Sequence, residues 1–366
     1  MVRVTRLELR DFRNYERAEV ALAPGLTVVC GPNGAGKTNL LEALYFGCTG
    51  RSCRTSNERE LVRFGQKVTR VSVGVEAEDG AHRLDVGFEP GEQKRFRIDD
   101  AQVERPVAGE VRPLVGVFMP DRLDLVKGAP ALRRAHIDQV IAALWPARAS
   151  SRADYSRALA QRNALVARIR AGAARPELLD PWDSELARHG IAVMEARREA
   201  LRELEAPFAR LAAELGLPGS CALEYRPRSK ATAADGLRAE LAERREDDLA
   251  RGFTGHGPHR DDVALVRDRR ALRSYGSQGQ QRVGLLALLF AEREVLADIG
   301  KAPLMLLDDV MSELDASRRE RLVDLVRAGG QAVVSATEAE HVPGSREADV
   351  ELLFVTDGAV ALEPAL

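Results

Sequence analysis

Gly31-Pro-Asn-Gly-Ala-Gly-Lys-Thr38 follows the apolar run Leu26 to Cys30 and opens the helix-like stretch Asn39-Leu-Leu-Glu-Ala-Leu-Tyr-Phe46. The spacing is G-x-x-x-x-G-K-T between a strand and a helix, the setting a phosphate-binding loop requires. Gly31, Gly34 and Gly36 allow positive φ, so that backbone N–H groups turn inward around β- and γ-phosphates. Lys37 would neutralise the β/γ oxygens and the Thr38 hydroxyl would ligate Mg²⁺, while the positive end of the following helix adds to the attraction. The alternative is an ordinary glycine-rich turn before a helix. The full eight-residue pattern, with strand before and helix after, favours the phosphate loop.

Working outward, 366 residues suffice for one large domain or two. At 45% hydrophobic, 30% charged and 5% aromatic, the composition is that of a soluble globular protein. The 54 basic and 56 acidic residues nearly cancel, so nucleic-acid binding has to come from local patches and not from the net charge of -2. Cys30, Cys48, Cys53 and Cys221 form no Cys-x-x-Cys pair and have no histidines at metal spacing, which points to a reducing cytoplasm. No apolar stretch reaches the roughly 18 residues of a membrane span, and the N-terminus lacks a signal-peptide core, so no membrane role is expected.

The chain changes texture twice. Up to about residue 110, apolar residues alternate as in strands (Val2 and Val4, Leu7 and Leu9, Val71 to Val75, Leu84 to Phe88, Phe96 and Ile98), with turns at Glu78-Asp79-Gly80 and Glu89-Pro90-Gly91. This predicts an antiparallel layer beside the sheet of the phosphate loop. From about Asp121 to Gly252 the spacing is helical, including one long helix from Asp180-Pro181 to Gly216. After Gly252 come a strand at Asp262 to Val266, a helix at Gln280 to Ile299, a buried strand at Pro303 to Leu307, a helix at Ser317 to Arg327 and a strand at Ala332 to Ser335. The expectation is an α/β ATPase head, residues 1–120 and 253–366, split by a helical arm at 121–252.

Pro303-Leu-Met-Leu-Leu-Asp308-Asp309 is an apolar strand ending in two carboxylates. Asp308 at its tip can grip hydrated Mg²⁺, leaving Asp309 to orient or deprotonate the attacking water. Gly276-Ser-Gln-Gly-Gln-Gln281 resembles the Leu-Ser-Gly-Gly-Gln signature of ABC-type ATPases, with Ser277, Gly279 and Gln280 in register, 31 residues before Asp308. It would be a second anion nest at a helix N-terminus. Because the first loop already holds the phosphates of its own chain, this nest needs a nucleotide from another subunit, which implies a head-to-tail homodimer. Ser312-Glu-Leu-Asp315 then resembles the loop that couples the two sites in those ATPases.

Leu7-Glu-Leu-Arg-Asp-Phe-Arg-Asn-Tyr15, the loop Gly31 to Thr38, Leu125-Val-Lys-Gly-Ala-Pro130 with Arg133-Arg134 and Asp138, Gly257-Pro-His-Arg-Asp-Asp262, and Leu307-Asp-Asp-Val-Met-Ser-Glu-Leu-Asp315 occur in that order. They resemble the hallmarks of the RecF family, ABC-type recombination mediators of bacterial DNA repair, over most of the chain. The resemblance implies an ABC-type P-loop head and a homodimer that forms on ATP binding. It also implies slow DNA-stimulated hydrolysis, binding of double-stranded and gapped DNA, and cooperation with RecR and RecO to load RecA. It assigns ATP and Mg²⁺ to Arg13, Asn33, Gly34, Ala35, Gly36, Lys37, Thr38 and Asn39, with Ser277, Gly279, Gln280 and Asp315 across the dimer and Thr337 as a γ-phosphate sensor. Lys37 and Asp309 would be catalytic, and Thr38 and Asp308 would hold the metal. Where the family has Pro-Glu-Asp this chain has Pro120-Asp121-Arg122, so Asp121 is the residue left to supply that loop's metal contact.

Three other readings compete. A transporter's ATPase subunit shares the loops but needs no helical segment this long, an SMC or Rad50-like head needs long heptad arms, and a nucleotide-gated scaffold would scarcely hydrolyse ATP. Arg157, Arg162, Arg168, Arg170 and the run Arg226 to Lys230 are candidate DNA contacts, against the alternative of a solvated helix face. His256 and His259 have no companion at ligand spacing and are expected in a structural turn.

Overall fold

Val4, Leu7, Leu9 and Phe12 are buried while Arg6, Glu8 and Arg10 face outward, the period-two pattern of a half-covered strand. In the computed structural model, which describes residues 2–104, 111–119, 123–312 and 314–362, this stretch is β1 (Arg3–Phe12). It lies in a six-stranded antiparallel sheet with β2 (Tyr15–Ala21), β4 (Thr69–Ala77), β5 (Gly80–Phe88), β6 (Arg95–Ile98) and β7 (Ala101–Val103), ordered β2-β1-β4-β5-β6-β7.

The second sheet holds β3 (Leu26–Cys30), β8 (Val115–Phe118), β12 (Leu304–Leu307), β13 (Ala332–Ala336), β14 (Val350–Thr356) and β15 (Ala359–Leu362). Its order is β15-β14-β3-β13-β12-β8, parallel except for β15. All of β3, β12 and β13 are buried, which explains their continuous apolar runs. The loop helix Lys37–Thr49 packs on β1 and β4 of one sheet and on β8 and β13 of the other. A Cβ on its Gly47 would sit 2.4 Å from Cγ2 of Val73, so the close approach to β4 requires glycine. Leu40, Leu41, Leu44 and Phe46 join both sheets in one core, each burial contributing about 2 kcal/mol. The strand-like first hundred residues and the parallel sheet assembled from both ends of the chain are as the sequence pattern predicts.

Two compact units divide the chain. One takes in the residues up to 122, Glu214–Gly216 and everything from Leu289 on; the other takes in Leu123–Ala213 and Leu217–Leu288. The last break between them falls at 288/289, inside the helix Gln278–Asp298. The cause is a strand that the helical texture concealed: β9 (Cys221–Arg226) pairs with β10 (Asp262–Arg267), which also pairs with β11 (Arg270–Ala271). Arg133, on the helix Pro130–Leu144, grips Asp262 with two hydrogen bonds of 2.8 and 2.9 Å. Along the helix Asp180–Glu214, Leu186, Ile191, Val193, Met194, Leu201, Leu204, Phe208 and Leu211 are all buried. Among the described residues no helix is long and apolar enough to cross a membrane.

Candidate functional site

The loop after β3 has Gly31, Gly34 and Gly36 at φ 151°, 84° and 120°. A Cβ on Gly31 would lie 2.2 Å from the Val355 carbonyl oxygen, and one on Gly36 would lie 2.6 Å from the Asn14 amide. Conformation and space both demand glycine there. Lys37 Nζ donates to the Gly31 and Pro32 carbonyls at 2.6 and 3.0 Å, so its ammonium closes the loop on itself. Burial pushes the Lys37 pKa below its ordinary value, opposed by the charges of Asp309 and Asp308. Asn33 and Gly34 are exposed at the tip, whereas Ala35 is buried.

The turn between β1 and β2 supports the loop from outside. Asn14 Nδ2 donates to the Ala35 carbonyl at 2.9 Å, Tyr15 Oη to the Gly36 carbonyl at 2.9 Å, and Asn39 Nδ2 to Asn14 Oδ1 at 2.7 Å. Asn14 and Tyr15 are positioning residues that residue-type reasoning did not single out, although they sit in the block Leu7 to Tyr15.

Since β13 lies between β3 and β12, the end of the acidic strand comes beside the start of the loop helix. Thr38 Oγ1 donates to Asp308 Oδ2 at 2.8 Å, and Ser335 Oγ donates to Asp308 Oδ1 at 2.6 Å. The Asp309 N–H donates to the same Ser335 oxygen at 2.9 Å, with Asp309 itself at φ 43°. Burial raises the Asp308 pKa, and the hydrogen bonds from Ser335 and Thr38 hold it back. A buried carboxylate touching a hydroxyl is a hard oxygen pair that fits Mg²⁺, an ion that takes one or two protein ligands and completes its shell with phosphate and water. Among the described residues no group of three or more His, Cys, Asp or Glu is placed to hold a metal ion by itself. Lys37, Thr38, Asp308 and Asp309 are thus brought together, with Ser335 as an unanticipated member.

Other expected residues lie differently. The Arg13 guanidinium makes two 2.9 Å hydrogen bonds to Glu42, a wholly buried carboxylate that also accepts from Ser52 at 2.5 Å and Arg54 at 3.3 Å. Arg13 thereby clamps the loop helix through Glu42. Thr337 Oγ1 lies 3.1 Å from His341 Nδ1. Asp315 caps the helix Ala316–Arg327 by accepting from the Arg318 N–H and the Ser317 hydroxyl, each at 2.9 Å, and these hydrogen bonds lower its pKa. Asp121 lies outside the described residues.

In the second unit, Ser277 and Gln280 cap the helix Gln278–Asp298 reciprocally: the Gln280 N–H donates to Ser277 Oγ at 3.3 Å and the Ser277 N–H to Gln280 Oε1 at 2.9 Å. Ser277 and Gly279 are exposed, and a Cβ on Gly279 would meet nothing within 4 Å. The nest is open to an incoming anion.

The interior of this unit corrects one expectation. Arg162, a candidate DNA contact, is wholly buried, held by Asp183 at 2.6 Å, Asp248 at 2.7 Å and Thr254 at 2.7 Å. A guanidinium with two carboxylates in the core is a packing element and cannot meet a phosphate. Apart from the exposed Arg260, the block Gly257 to Asp262 likewise faces inward: His259 accepts from Tyr155 Oη at Nδ1 (2.6 Å) and donates from Nε2 to the Thr254 carbonyl (2.9 Å). Arg197 joins Asp138 to the Pro258 carbonyl. Both histidines are structural, His256 through Glu240 at 2.5 Å.

The family described as "RecF/RecN/SMC N terminal domain" matches residues 3–359. The "DNA replication and repair protein RecF" of Streptomyces avermitilis is 39% identical over 93% of this chain and 95% of its own, and that of Kineococcus radiotolerans is 37% identical over 97% and 98%. Among solved structures, the recombination mediator protein RecF with ATP in the RecFOR pathway superposes with a TM-score of 0.86 at 26% identity, over 99% of this chain and 98% of that one. The Smc head domain of Pyrococcus furiosus shares the fold at TM-score 0.61 and 17% identity, over 99% and 96%. The fold is that of an ABC-type P-loop ATPase head, and the chain belongs to the RecF family within the RecF/RecN/SMC group.

Proposed function

We propose that the chain is an ATP-gated, DNA-binding recombination mediator of the cytoplasm. It binds ATP with Mg²⁺, pairs head to tail with a second copy across two nucleotides, holds duplex and gapped DNA, and is reset by slow DNA-stimulated hydrolysis. The observation that carries this reading is the 2.8 Å contact between Thr38 and Asp308 beside Lys37, across three neighbouring strands of one sheet. Relatives named for DNA replication and repair, and a solved neighbour named for the RecFOR pathway, support RecR and RecO as partners and RecA loading as the outcome.

The loop N–H groups bind the phosphates, and Lys37 exchanges its own carbonyls for the β/γ oxygens. Thr38 and Asp308 would hold Mg²⁺, which when bound neutralises charge on those oxygens. Asp309 orients the attacking water and takes its proton. Ser277 and Gly279 of a second copy meet the γ-phosphate, so the dimer exists only while that group is intact.

Light scattering and steady-state phosphate release, each with and without duplex DNA, test the reading. A dimer with MgATP but not MgADP, and phosphate release that rises with duplex, are expected. A dimer without any release would favour the scaffold, and a monomer under every condition would overturn the gated mediator.

A further inference from the structure

The outward face of the antiparallel sheet is charged in rows, and the rows are not equivalent. Strand register sets Arg17 opposite Arg10, Arg10 opposite Arg70, Arg70 opposite Gly87, and Gly87 opposite Arg95. Four arginines therefore stand in one line across five strands, interrupted only by a glycine. The next row runs Glu19, Glu8, Ser72, Asp85, Arg97. Its acids are already engaged: Glu8 and Glu19 by Arg6, and Glu8 and Asp85 by Arg83. Arg17, Arg70, Arg95 and Arg97 are exposed and their side chains make no hydrogen bond or ion pair among the described residues, while the Arg10 side chain has only Asp11 at 3.7 Å. The carboxylates flanking the row include Glu16, taken by Arg63, and Glu89, Glu92 and Asp100, which line the same hollow as Arg70, Arg95 and Arg97 from the turns at its edge.

Like charges directly opposite one another on a sheet destabilise it, so a line of uncompensated arginines calls for an external anion. Strands about 4.8 Å apart make the line roughly 19 Å long, about half of the roughly 34 Å turn of a duplex, so it can meet phosphates on the near side of one groove. All five residues are arginine, whose planar fork suits phosphate. The outward strand positions carry no large apolar side chain to anchor a protein partner; Phe64, wholly exposed, is in the loop before β4.

We infer that this arginine row, Arg10, Arg17, Arg70 and Arg95 with Arg97 beside it, is a docking surface for the phosphate backbone of duplex DNA. The inference rests on the DNA-binding reading above and locates it on the antiparallel sheet instead of the helical arm.

Salt-dependent binding of a fluorescein-labelled duplex, with MgATP, tests it on the full chain. Arg17→Thr, Arg70→Thr and Arg95→Thr combined should weaken binding on the order of tenfold to a hundredfold and reduce the slope of log K against log salt by about 2 to 3. Because threonine suits strands and like-charge pairs are removed, the melting temperature should hold or rise. Arg157→Gln, Arg168→Gln and Arg170→Gln combined removes equal charge from the arm and should leave the slope unchanged. A sheet variant with wild-type slope, or an equal fall in both variants, overturns the inference. Wild-type slope together with lost binding of a polyglutamate peptide would instead assign the row to an acidic protein. Absence of duplex binding by the wild type would refute the DNA reading itself.

Discussion

Ser335 Oγ donates to Asp308 Oδ1 at 2.6 Å, so the strand between the phosphate loop and the acidic strand fixes the carboxylate that faces Thr38. The same hydroxyl accepts the Asp309 N–H, and one side chain sets two functional residues. Burial favours the neutral acid at Asp308, and Ser335 counteracts it.

Ser335→Ala should therefore raise the Asp308 pKa further, and the pH at which MgATP binding fails on acidification should move upward. Loss of such an orienting partner costs about tenfold or more in affinity, and the orphaned Asp309 N–H costs about 1 to 3 kcal/mol of stability. Titration with a fluorescent ATP analogue and Mg²⁺ across acidic pH measures the shift. A profile superimposable on the wild type would mean that Ser335 only fills space.

At the second nest the capping role of Ser277 and its proposed nucleotide role can be separated. Aspartate is as good an N-cap as serine, yet its charge would face an incoming γ-phosphate. Ser277→Asp should keep the melting temperature and ATP binding while abolishing the ATP-dependent dimer in light scattering. Persistence of that dimer would exclude Ser277 from a phosphate-bearing interface.

Where backbone conformation and side-chain chemistry demand the same residues, the sequence is readable. Gly31, Gly36, Lys37 and Thr38 announce their loop, and the apolar Leu304 to Leu307 before two acids announces the strand that meets it. Ser335 was hidden because a serine in a buried strand has no pattern of its own; only the strand order puts it beside Asp308. Arg162 was misread because its helix, Ala149–Arg170, carries arginines on several faces, and the partners that bury it come from residues 183, 248 and 254. The strand Cys221–Arg226 was lost in helical texture because six residues give too few alternations to outweigh their neighbours.

His259 makes the second unit sensitive to acid. Burial pushes its pKa down to about 4, and its ring is neutral, accepting from Tyr155 and donating to Thr254. The unfolded chain titrates near the ordinary value of about 6.5, so between these values it binds the proton that the folded state refuses. The stabilisation is complete above about pH 6.5 and is lost as pH falls toward 4, with about 2 kcal/mol gone by pH 5. His259→Gln can accept and donate at the same places without titrating. Urea unfolding at neutral and at mildly acidic pH should show a smaller acid loss in this variant; equal losses would place the acid sensitivity elsewhere.

Asp309 offers the sharpest test of gating. Its backbone sits at φ 43°, a region asparagine also adopts, so Asp309→Asn removes basicity while keeping shape and main-chain geometry. The variant should bind ATP, pair and stay paired, because the γ-phosphate that joins the two copies is no longer cut. In the proposed closed dimer two DNA-binding faces would act on the same duplex, so affinity should be higher with ATP than without and should fall with salt. Anisotropy of a labelled duplex with wild type and Asp309→Asn, each with ATP, with ADP and without nucleotide, decides the matter. The ATP-bound variant should be tightest and slowest to release. Equal affinity under all conditions would separate DNA binding from the nucleotide and leave a passive scaffold.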